Sequence, residues 1–78
     1  MESEYARTIA ARGITPEHKG RLIKHVDLEG IVAYGYIMYY EHFSESTVIG
    51  IKPEGDENGW LTYEIDVDHL DKVTIYDR

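Results

Sequence analysis

Gly30-Ile31-Val32-Ala33-Tyr34-Gly35-Tyr36-Ile37-Met38-Tyr39-Tyr40 is the stretch that decides how this chain folds. It carries no charge and is rich in β-branched and aromatic side chains, the types that suit a pleated, half-buried surface. A period of two sends Val32, Tyr34, Tyr36, Met38 and Tyr40 to one side of the strand and Ile31, Ala33, Gly35, Ile37 and Tyr39 to the other. Ala33 and Gly35 suit close packing beneath a second layer, which leaves the tyrosine-rich side nearer the surface. Tyrosine offers a large rigid ring with a polar tip, so this side reads either as a contact surface or as rings that cap a small barrel core with their hydroxyls in water.

The same stretch has 11 residues, against about 5–6 for a typical strand. An apolar strand that outruns its neighbours, flanked only by Glu29 and Glu41, leaves an edge that a second copy would cover, and a twofold homodimer is expected on that ground. The alternative is a bulge at Gly35 that bends the strand so that it serves both halves of a closed barrel.

Outward from this strand the composition repeats. Residues 20–26, 46–51, 60–66 and 72–76 are also strand-like, and Asp27-Leu28-Glu29-Gly30, residues 41–45 and Pro53-Glu54-Gly55-Asp56-Glu57-Asn58-Gly59 carry turn chemistry between them. In the fourth strand Leu61, Tyr63 and Ile65 should point inward, with Trp60, Thr62 and Glu64 on a partly exposed face. Trp60, at the mouth of the longest loop, reads either as an anchor for a partner or as a lid on the core. Asp68-His69-Leu70-Asp71 reads as a helical turn before the last strand.

Residues 3–13 predict a helix. Ser3 would cap it, Tyr5 and Ile9 fall four apart beside Ala6 and Ala10, and Gly13 would end it. Thr15-Pro16-Glu17-His18 predicts a further helical turn over residues 15–19, with proline at its first position. The expected class is therefore α+β: one domain over residues 1–78, with a helical segment 1–19 and a β-rich core 20–78 of five antiparallel strands. Five such strands with one helical turn before the last resemble the Src-homology-3-like small barrel. That resemblance implies a shape and, with no family motif beside it, no partner.

With no cysteine in 78 residues, disulfides cannot stabilise the fold, and the chain depends on packing or self-association. The acidic start Met1-Glu2-Ser3-Glu4 and the absence of a long apolar run argue against a signal peptide or a membrane span, so a cytoplasmic protein is expected. The net charge of −7 is uneven. Residues 1–26 hold five basic groups against three acidic, while residues 27–78 hold Lys52, Lys72 and Arg78 against twelve acidic groups, a net −9 that would repel a phosphate backbone.

Four histidines, His18, His25, His42 and His69, share no metal-ligand spacing, and the carboxylates around His69 lack the glycine and distal glutamate of a calcium loop. No metal or cofactor is expected. Glu41-His42 with Ser44 and Ser46 is the nearest approach to a reactive cluster, and it has the composition of an ordinary surface loop, so catalysis is not expected. Residues 8–24 resemble a helix-turn-helix, with Gly13 in the turn, Ile14 and Leu22 buried and Arg21 and Lys24 facing DNA, although Lys19 and Gly20 depart from that pattern. The expectation is a non-enzymatic, acidic protein-binding module, a small regulator or inhibitor, with nucleic-acid mimicry as a variant. It would meet a protein partner with a basic surface through Tyr34, Tyr36, Met38, Tyr40, Trp60 and Glu64. DNA binding through residues 8–24 is the alternative.

Overall fold

Alternation of apolar and polar side chains produces most of the chain's secondary structure, and the computed structural model describes residues 6–76. Six strands form one antiparallel sheet: β1 (Ala6–Ala10), β2 (Leu22–Asp27), β3 (Val32–His42), β4 (Thr47–Pro53), β5 (Tyr63–Asp66) and β6 (Leu70–Tyr76). Their order across the sheet is β1-β6-β2-β3-β4-β5, which leaves β1 and β5 at the two edges. Short helical turns at Ala11–Gly13, Pro16–His18 and Val67–His69 fill the connections.

The expected α+β class is overturned: the protein is all-β, with six strands in one open sheet in place of a helix and a five-stranded sheet or closed small barrel. Part of the predicted helix, residues 3–5, lies outside the described residues. Residues 6–10 form a strand because β6 supplies a partner: Ala6 to Ala10 pair with Tyr76 to Lys72, and Ile9 packs against the core beside Val73. A helix this short gains little from propensity, so an edge pairing that buries an isoleucine outweighs it. The same result removes the helix-turn-helix, since residues 6–10 and 22–27 are strands.

The helical turn expected over residues 15–19 is present at Pro16–His18, where the Thr15 amide donates to His18 Nδ1 at 3.0 Å. The turn before the last strand is present at Val67–His69, held by the Asp68 amide donating to Asp66 Oδ1 at 2.8 Å.

Among the described residues one side of the sheet carries the core cluster. Ile23, Ile37, Ile49, Ile51, Val73 and Ile75 are fully buried, and Ala11, Ile14, Val67 and Leu70 close the cluster from the connections. Gly35 lets β3 and β4 approach: a Cβ there would lie 2.5 Å from Ile51 Cγ2 and 2.6 Å from the Lys52 carbonyl oxygen.

The long strand β3 meets each of its two neighbours along only part of its length. It pairs with β2 over Val32 to Tyr36 and with β4 over Gly35 to His42, so its length serves two neighbours in succession. The register slips by one residue between Ile37 and Tyr39, which places the bulge at Met38 and not at Gly35. Ile37 stands opposite Ile51, then Tyr39 opposite Gly50 and Tyr40 opposite Ile49. One extra residue exchanges the two sides of a strand. Tyr40 therefore turns inward onto the core while Tyr39 turns out.

Candidate functional site at the outer sheet face

Burial of Ile23 and His25 on β2, and of Val73 and Ile75 on β6, sends their neighbours to the opposite side of the sheet, where Thr74 is covered to 2% exposure and Lys72 is exposed. Register then assembles that side into rows running across the strands. One row runs Ala6, Tyr76, Leu22, Tyr36, Lys52; the next Thr8, Thr74, Lys24, Tyr34; the third Ala10, Lys72, Val26, Val32. Neighbours within a row stand about 5 Å apart and the rows are about 7 Å apart. Among the described residues these rows hold three lysines, three tyrosines and no carboxylate.

Local contacts order the face. Lys52 Nζ lies 5.6 Å from the centroid of the Tyr36 ring, a cation–π contact. Thr8 and Thr74 hydroxyls meet at 2.8 Å across the β1–β6 pair. Tyr34 is 45% exposed and Met38 43%. The Glu54 amide donates to the Tyr34 carbonyl at 3.2 Å, one step past the Gly35–Pro53 pair, which sets exposed Glu54 opposite Tyr34 at the margin of the face.

On the other half of the sheet the character reverses. Tyr39 lies over Gly50 and donates its hydroxyl to Glu64 Oε2 at 2.8 Å, and register sets Glu41 and Asp66 in the adjoining positions. That hydrogen bond to Glu64, with some loss of hydration and the nearby negative charge, holds the Tyr39 phenol above its ordinary pKa.

The expected contact residues are thus divided. Tyr34, Tyr36 and Met38 share the outer face of β3, Tyr40 packs inward, and Glu64 stands beside Tyr39 on the acidic half. Trp60 precedes β5 and is 85% exposed, which excludes it as a lid on the core; Leu61, expected inward, is 68% exposed beside it. Their loop is held by the Leu61 amide donating to Asp56 Oδ2 at 2.8 Å and the Thr62 hydroxyl donating to the Gly59 carbonyl at 2.7 Å. It reaches the margin of the basic face, since a Cβ on Gly59 would lie 3.8 Å from Lys52 Cδ.

Lys52, Lys72 and Tyr76 went unrecognised as site residues in the sequence, and Lys24 entered only as part of the helix-turn-helix alternative. The signal for two of them was available, because a period of two through residues 22–26 and 72–76 sets Lys24 and Lys72 against buried neighbours. Their meeting on one face needed the β2–β6 pairing, which joins segments far apart in the chain.

Two other places hold titratable groups. A cavity of about 280 Å³ lies between the turns Ala11–Gly13 and Val67–His69 and the β3–β4 loop, its rim formed by Arg12, His42, Ser44 and Asp68. Arg12 and Asp68 pair at 2.8 Å, and His42 Nδ1 meets Thr47 Oγ1 at 2.7 Å. In the core, His25 Nε2 meets the Tyr63 hydroxyl at 2.6 Å, and Nδ1 has no hydrogen-bond partner among the described residues. Among those residues no group of three His, Asp or Glu side chains gathers as a metal site, and no helix is long and apolar enough to cross a membrane.

No family model, curated protein or solved structure matches this chain.

Proposed function

We propose that the chain is a non-enzymatic binding module whose contact surface is the outer face of β6, β2 and β3, and that its partner is anionic. The observation that carries this reading is the grouping of Lys24, Lys52 and Lys72 with Tyr34, Tyr36 and Tyr76 on one face of a chain with net charge −7, where Glu54 at the margin is the carboxylate that register places beside them among the described residues. Separation of charge by the fold also answers the repulsion expected from the acidic total. At physiological salt, exposed charges beyond about 8 Å are largely screened, so the partner meets the lysines nearest to it.

A sulfated polysaccharide column at low salt tests the reading. Retention of this acidic protein, lost when Lys24→Glu and Lys52→Glu are combined, supports it; passage of the wild type with the void sinks it.

A second reading rests on the acidic half. Tyr39, fixed by Glu64 and flanked by Glu41 and Asp66, supports docking of a protein with a basic surface, as for a small regulator or inhibitor. Loss of binding to a lysine-rich peptide on Glu64→Lys, with the polyanion contact intact, would distinguish the two.

A further inference from the structure

Three lysines alone would serve any polyanion, yet they alternate with aromatic rings. Tyr36 and Tyr76 flank Leu22 in one row, Tyr34 adjoins Lys24 in the next, and Lys52 joins Tyr36 to the loop that carries Trp60. An acidic peptide would use the lysines and leave the rings with little to cover. Single-stranded nucleic acid uses both, because every unpaired base has a flat face to stack on tyrosine or tryptophan while its phosphates meet ammonium groups. Duplex DNA hides its base faces and would meet the lysines only.

Resting on the reading of this face as an anion-binding surface, we infer that the outer face of β6, β2 and β3, with Trp60 at its margin, binds single-stranded nucleic acid. Phosphates lie along Lys72, Lys24 and Lys52, and bases stack on Tyr34, Tyr36 and Trp60. Ribose and deoxyribose strands share this chemistry, and the two sugars are separate arms of the test.

Trp60 is the chain's single tryptophan and is exposed, so its fluorescence reports a base stacking on it directly. Full-length protein is titrated at low salt with an oligothymidine of about a dozen nucleotides, its ribose counterpart, a duplex of equal length and a polyglutamate peptide. Expected are saturable quenching by the single strands and weaker binding of the duplex. The logarithm of affinity should fall against the logarithm of salt with a slope of about −2, set by three phosphate contacts. Tyr34→Ala with Tyr36→Ala should weaken the single strand by about tenfold or more while leaving retention on the polysaccharide column in place. Circular dichroism of that variant confirms that it remains folded, and Tyr34→Phe with Tyr36→Phe should restore binding.

Equal affinity for duplex and single strand overturns the inference, since phosphates alone would then be read. Binding of polyglutamate and the polysaccharide without the single strands also overturns it but leaves the anion-binding face standing. Binding of no polyanion overturns both.

Discussion

Tyr39 lies so close over Gly50 that a Cβ on that glycine would stand 2.1 Å from Cε2 of the ring. Gly50→Ala must therefore displace Tyr39. The ring is on the outer face and can swing away, so the expected cost is small, under about 1 kcal/mol, and the loss falls on the hydrogen bond to Glu64. Gly35→Ala has no such escape, because its Cβ meets the Lys52 carbonyl at 2.6 Å and buried Ile51 at 2.5 Å. Its cost should reach about 3 kcal/mol. Urea denaturation of the two variants checks the order, and equal costs would contradict it.

Asp27 organises the β2–β3 turn, its Oδ1 accepting the amides of Glu29 and Ile31 at 2.9 Å each, while Gly30 takes a φ of +88° that other residues adopt at a cost. Asp27→Ala should lower stability by about 1–2 kcal/mol. Asp27→Asn, which keeps the accepting oxygen, should recover most of that loss.

Stability should fall as the solution is acidified through the histidine range. Burial holds the His25 pKa below its ordinary 6.5, partly opposed by the charge of Asp27. The unfolded chain takes up a proton on this histidine near 6.5 while the folded chain still refuses it, so the unfolded state gains as pH drops. The contribution is complete above that value and is lost progressively below it. Denaturation midpoints from about pH 7.5 to about pH 5.5 should decline, and His25→Leu should flatten the decline.

The homodimer expected from the length of β3 rests on the two ends of that strand, since β2 pairs with it only over Val32 to Tyr36 and β4 only over Gly35 to His42. Light scattering across a concentration series checks it: a mass that stays at 9.0 kDa throughout sinks the dimer. Twice that mass would mean that β1, β5 or an unpaired end of β3 meets a second copy.

Much of the sheet was legible because its signals are local. Residues 22–27, 32–42, 47–53 and 70–76 advertise themselves by β-branched and aromatic content, and Pro16 and Asp68 mark their turns. Residues 6–10 were not legible, since Ala6, Ile9 and Ala10 fit a helix until β6 offers a partner 60 or more residues away. The inward turn of Tyr40 was hidden for a different reason: nothing in an unbroken apolar run identifies Met38 as the extra residue, and every assignment after it reverses. The lysine cluster depends on the same long-range register, and counting charge by chain segment could not find it.

Amide chemical shifts of isotope-labelled protein, followed while oligothymidine is added, test the central claim most directly, because they read the location of contact as well as its existence. The account predicts shifts concentrated in β6, β2 and the first half of β3, from Val32 to Tyr36, with the Trp60 indole moving alongside them and the Tyr39, Glu64 and Asp66 region unmoved. Shifts centred on the acidic half or on the Arg12–Asp68 cavity, or no shifts at saturating oligonucleotide, would contradict it.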